Sequence, residues 1–181
     1  EYKLFKFRQY RQGFYNLPRG SILMSFRKEK KYRLTISDQK ILKYSLMDKG
    51  MKQLFPMRQV NSCYLDTPDL SLFFASDEGI LPRRKLRYRW YANSFKAKKE
   101  LKISSTEGRY KIISSTPINV NIDSINTIRH FDNQYGFLYP VLLISYDREY
   151  YLYNNLRITF DTNITYKDLR GLFRNQCFDP E

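Results

Sequence analysis

Polar and apolar residues alternate with a period of two through much of the chain, most regularly between Arg83 and Lys111. Arg83, Lys85, Arg87 and Arg89 fall on one parity; Arg84, Leu86, Tyr88 and Trp90 fall on the other. After a short connection Glu100 and Lys102 oppose Leu101 and Ile103, and then Arg109 and Lys111 oppose Tyr110 and Ile112. Period two sends successive side chains to opposite faces of a strand. The pattern predicts three strands that place Arg, Lys and one carboxylate on a common surface.

The same reading extends along the chain. Tyr2–Phe7 is expected as an edge strand, followed by a loop broken at Gly13, Pro18 and Gly20. Phe26–Ile36 alternates again, with Glu29, Lys31, Arg33 and Thr35 on one face and Lys30, Tyr32, Leu34 and Ile36 on the other. Ser37 suits a helix N-cap, with Asp38 beside the positive end of the dipole. Ile41, Leu42, Ser45 and Leu46 then mark an amphipathic helix that should end near Gly50. Val60–Asp66 reads as a strand, and Thr67-Pro68 as a cap followed by Pro at the first helical position, with 69–75 a short helix or turn. A helix is expected from about Ser124 to Phe131. Pro140–Tyr151 and Leu156–Tyr166 predict an antiparallel pair turning at Asn154-Asn155.

Composition adds an anionic partner to this picture. The 181 residues carry a net charge of +14, and 17% are aromatic, with sixteen Tyr and thirteen Phe favouring strands. Eleven Lys and Arg against two Glu fall between positions 83 and 111, so nine of the net positive charges lie there. The length fits one domain over 1–181, with residues 1–25 peripheral. Cys63 and Cys177 make neither a disulfide framework nor a cysteine-rich metal site; Cys63, in an apolar run, reads as a buried free thiol. Low cysteine use points to the cytoplasm, and no apolar run approaches the roughly 20 residues of a membrane span. His130, the one histidine, lacks the neighbours a catalytic triad demands and reads as a packing or surface residue.

About eight sequential strands with few helices is the arithmetic of a closed antiparallel barrel. Each barrel strand has an inward and an outward face. The faces opposite the charges, including Leu34/Ile36, Leu86/Tyr88/Trp90, Leu101/Ile103 and Leu156/Ile158/Phe160, need burial, worth roughly 1.5–3 kcal/mol per large side chain. Periodicity leaves two arrangements open. Either the apolar faces fill the barrel, or the charges line it and helices near 38–49 and 124–131 cover the apolar outside.

The stretches EKKYRL (29–34), SCYLDTPDL (62–70), RRKLRYRWY (83–91), KELKI (99–103), EGRYKI (107–112), ISYDREYYL (144–152) and LRITFDTNITY (156–166) resemble the VTC (vacuolar transporter chaperone) polyphosphate polymerase domain. That domain belongs to the triphosphate tunnel metalloenzymes, which include the CYTH proteins. The resemblance implies an α+β, mainly β fold: an eight-stranded closed antiparallel barrel, or tunnel, with a basic lumen and a few covering helices. It implies a metal-dependent phosphotransferase that binds ATP or another triphosphate and polyphosphate, with Mn²⁺ or Mg²⁺ as cofactor, cytoplasmic or at the cytoplasmic face of a membrane.

Carried onto this sequence, the resemblance places Lys31, Arg87, Arg89, Lys102 and Arg148 at basic tunnel positions that act in catalysis. Arg33, Arg109, Lys111 and Arg157 join them as phosphate-binding candidates, with Arg109 and Lys111 alternatives for one position. Glu100 and Glu29 are the implied metal ligands, and Arg157 and Asp161 match an R-x-T-x-D strand. Arginine forks suit phosphate oxygens and lysine supplies compact charge. The resemblance also implies a last acidic E-x-K strand with a principal metal ligand. The sequence ends at Glu181 without it, while Glu1-Tyr2-Lys3 has that spacing at the opposite end. A truncated domain or a weakened metal site is the expectation that follows.

Two other functions compete. One is a tunnel-fold module that holds polyphosphate or a similar polyanion without turnover. The other is a nucleic-acid-binding domain in which Tyr88, Trp90 and Tyr91 stack on bases. The second needs Arg and aromatic side chains on one face, whereas Arg87 and Arg89 oppose Tyr88 and Trp90, so nucleic acid is not the expected partner.

Overall fold

A computed structural model describes residues 2–9, 29–92, 94, 96–120 and 125–171. Its strands are β1 (Tyr2–Gln9), β2 (Glu29–Thr35), β3 (Lys52–Asp66), β4 (Arg83–Tyr91), β5 (Lys96–Ser105), β6 (Gly108–Ile113), β7 (Ile118–Asn119), β8 (His130–Asp132), β9 (Gly136–Tyr153) and β10 (Leu156–Asp168). Helices α1 (Ile36–Asp48) and α2 (Ser71–Asp77) and a 3₁₀ turn (Ile125–Thr127) complete the described elements. The long strands form one antiparallel sheet in the order β2-β1-β10-β9-β3-β4-β5-β6, with β7 on β5 and β8 on β9.

This sheet corrects the expected closed barrel. Closure requires β2 and β6 to exchange hydrogen bonds, and among the described residues β2 pairs only with β1 and β6 only with β5. The fold is mainly β, as expected, but open. It curls enough that Lys31 of β2 and Lys102 of β5 line one cavity. Alternation fixes which face a side chain takes; it carries no information on whether the first and last strands meet. Nor is β1 the predicted edge strand, since it lies between β2 and β10.

The apolar faces pack on the outside of the curl. Cys63, Leu65, Leu86, Tyr88, Trp90, Ala97, Leu138 and Leu143 form one core with Leu72 of α2, Val120 and Ile125. Met51, Tyr151, Ile158 and Phe160 form a second, against which Leu34, Leu42 and Leu46 pack. Thus α1 covers the sheet as the charged-lumen arrangement required, while Ile41, named with the apolar stripe, stays exposed.

Local signals fared unevenly. Asn154 and Asn155 have φ of 44° and 62°, the two left-handed residues that a tight hairpin turn demands, and β9 pairs with β10 around them. Helix α1 begins earlier than predicted, capped by Thr35 rather than Ser37. Thr35 is still extended (φ −65°, ψ 163°), and its Oγ1 accepts from the Asp38 amide at 3.1 Å. Helix α2 does not start at Pro68. Leu70 turns left-handed before it, and the Asp66 carboxylate accepts from the amides of Thr67, Leu72 and Phe73 at 2.8–2.9 Å. The helix expected to end at Phe131 is replaced by the 3₁₀ turn and β8, because His130 and Phe131 pair with Leu138 and Phe137 of β9. The predicted loop over Gly13, Pro18 and Gly20, together with Ser124 and Cys177, lies outside the described residues.

Candidate functional site

The basic strand faces converge on a cavity of about 350 Å³. Lys31 enters it from β2, Lys85, Arg87 and Arg89 from β4, and Lys102 from β5. Arg148 of β9 and Arg157 of β10 complete seven cations, against one lining carboxylate, Asp161. Ser62, Tyr64, Tyr146 and Thr159 supply neutral polar surface between them.

Register explains the concentration of charge. Lys85 lies opposite Lys102, Lys102 opposite Lys111, and Arg58 opposite Arg148. Like charges directly across a ladder destabilise a sheet, so folding alone does not favour three such pairs on one face. An anion held between them reverses the sign of that interaction. Residues two apart on each strand repeat the charge at a rise of roughly 6–7 Å along the same face.

Individual cations are oriented by neighbours on the same face of the sheet. Arg87 and Glu100 are register partners, and Arg87 Nε donates to Glu100 Oε2 at 2.7 Å, with Nη2 donating to the same oxygen. Arg87 Nη1 donates to the Tyr64 hydroxyl at 3.0 Å. Arg89 donates to Ser62 Oγ at 3.0 Å and to the Tyr146 hydroxyl at 3.3 Å. Arg148 meets Asp161 through two parallel bonds of 2.5 and 2.6 Å and lies 4.9 Å from the Tyr146 ring centroid. Such fixed forks present donors without a large ordering cost on binding.

The site is electrostatically strained. Lys102 keeps solvent exposure, yet partial desolvation among its neighbours pushes it down, the charges of Arg87, Lys111 and Arg89 push it further, and Glu100 only partly opposes them, so its pKa falls to about 8. Burial alone would raise Glu100. The charge of Arg87, the Lys111 hydrogen bond and the charge of Arg89 outweigh that effect and hold its carboxyl at about 2.

Of the sequence candidates, Lys31, Arg87, Arg89, Lys102, Arg148 and Arg157 line the cavity. Arg33 is exposed outside the lining, and Arg109, opposite Ser104, is exposed too. Lys111 donates to Glu100 Oε1 at 2.5 Å on the same face as Arg87 and Lys102, so of the two alternatives it is the one tied to the site. Glu29 starts β2, and its side chain lies outside the described residues. Sequence reasoning left out Lys85, Ser62, Tyr64, Tyr146 and Thr159. Lys85 was signalled by its shared parity with Arg87; the hydroxyl residues carried no comparable signal, since only the pairing of β3, β9 and β10 gathers them.

Among the described residues the metal expectation rests on Glu100, since the Glu29 side chain lies outside them. Both Glu100 oxygens are engaged by Arg87 and Lys111. Among the described residues no group of three or more His, Cys, Asp or Glu side chains gathers. A hard divalent ion such as Mg²⁺ is held through one or two carboxylates together with waters and substrate phosphates. Glu100 is here an anchor for cations.

Of the three aromatics that the nucleic-acid alternative names, Tyr88 and Trp90 are 6% and 3% exposed in the core, while Tyr91 is 45% exposed. Cys63 is fully buried, as expected. Among the described residues no helix is long and apolar enough to cross a membrane.

The fold and site together define a mainly β domain whose curled sheet presents a cationic trough. The VTC domain model matches residues 26–179, and the chain belongs to that family. Membership associates the chain with polyphosphate. A comparison with curated proteins finds no match.

Proposed function

We propose that the domain binds a linear phosphate chain, polyphosphate or the triphosphate of ATP, along the concave face of the sheet. The observation that carries this reading is the set of seven cations around one cavity, with Lys85, Lys102 and Lys111 stacked across three neighbouring strands. Charge-assisted bonds from Arg and Lys are the strong contacts to phosphate. Titration calorimetry with tripolyphosphate tests it. The double variant Arg87→Ala/Arg89→Ala should lose binding while circular dichroism remains native, and Lys102→Met, a milder change, should weaken it. Unchanged affinity in both sinks the assignment.

Phosphoryl transfer is the second reading. Arg87, Arg89 and Lys102 in one wall meet its main demands, positioning and neutralisation of phosphate charge. Incubation with ATP and Mn²⁺, assayed for polymer and ADP, separates the two. Binding without turnover leaves a polyphosphate-holding module.

A further inference from the structure

One arginine outside the cavity lining shares its face. Arg58 of β3 is the register partner of Arg148, so its side chain leaves the sheet on the concave side. It is exposed, and no ion pair to a carboxylate is formed by it among the described residues. Its guanidinium lies 5.3 Å from the ring centroid of Phe55 and 5.9 Å from that of Tyr150. Arg157 approaches the same Tyr150 ring at 5.1 Å while also lining the cavity. Phe55 meets Tyr150 edge to face at 5.9 Å.

Two arginines therefore flank one buried aromatic at the rung after Arg148, roughly 6–7 Å along β9. A solvent-exposed arginine opposite another arginine costs stability, and the two rings hold it in that position through cation–π contact. Cation–π packing occupies the guanidinium face and leaves its edge N–H donors free for an anion. Because Arg157 lines the cavity and shares the Tyr150 ring with Arg58, it links Arg58 to the cations of the lining.

We propose that Arg58, with Arg157 across the Tyr150 ring, forms a mouth site that grips the part of a phosphate chain extending out of the cavity. The proposal rests on the cavity binding phosphate chains, and it adds a subsite that only ligands longer than the cavity reach. Arg58 is a length-selective contact: short phosphates ignore it, and long chains engage it.

The test compares tripolyphosphate with a longer polyphosphate of defined length, by calorimetry, on the wild type, Arg58→Ala and Arg58→Lys. Arg58→Ala should weaken the long chain about fivefold and leave tripolyphosphate within about twofold, as expected for one charge-assisted contact. Arg58→Lys should recover most of the loss. The unliganded thermal midpoint of Arg58→Ala should change little, because relief of the like-charge pair offsets the lost cation–π contacts; an arginine with a structural role would lower it clearly. A wild type that fails to bind tripolyphosphate overturns the cavity reading and this one with it. A wild type that binds it, with Arg58→Ala losing both ligands equally or neither, overturns the mouth site alone. Arg58-dependent binding of single-stranded RNA, without the polyphosphate length effect, also overturns it.

Discussion

Arg87 and Glu100 face each other in register across β4 and β5, and both are buried beneath a cavity that Arg87 lines. Glu100, which the resemblance names as a metal ligand, fixes the direction of an arginine fork. Breaking a buried pair from one side leaves an uncompensated charge.

Glu100→Gln should therefore destabilise the protein by about 3 kcal/mol, read from urea unfolding. Its pH dependence has a defined sign. The folded carboxyl sits near 2, below its ordinary 4.5, so its stabilisation is complete above about 4.5 and is lost as pH falls through 2. Thermal midpoints of the wild type should drop across that window, and those of Glu100→Gln should drop less. Equal slopes would remove Glu100 from the pair.

Lys102 should govern the alkaline limb of binding. Its ammonium loses its proton near pH 8, so tripolyphosphate affinity should fall as pH rises through that value. Lys102→Met should abolish the inflection. For stability the sign is opposite. A folded value below the ordinary 10.5 means the cost of the crowded charge is full below about 8 and is relieved as pH rises toward 10.5.

Asp66 satisfies three amides at the entrance of α2. Asp66→Ala should cost about 1–2 kcal/mol, within the range of lost helix caps. Denaturant unfolding measures it; phosphate affinity, which Asp66 does not contact, should change little in the folded variant.

Cys63 should resist thiol reagents in the native state. Burial pushes its thiol up to about 12, so little thiolate forms at neutral pH and none is exposed. In a Cys177→Ser background, modification should appear only on unfolding. Rapid native labelling would contradict the packing of β3.

The strands around the site were legible because alternation is a local property: Arg87 and Leu86 must point oppositely wherever the strand lies. The Asn154-Asn155 turn was legible for the same reason, since few residues tolerate two consecutive left-handed conformations. Helix starts were less so. Thr35 took the cap from Ser37 because the last extended residue of β2 was set by its pairing with β1.

Sequence by itself determined the strand faces, the cationic surplus and the separation of arginines from Tyr88 and Trp90. The tertiary structure alone decided that the sheet stays open, that Glu100 serves Arg87 and Lys111, and that Arg58 stands against Arg148. Each of these is a relation between strands distant in the chain. Periodicity orients a side chain, but only strand order and register choose its neighbour, and the neighbour decides whether a carboxylate meets a metal or an arginine.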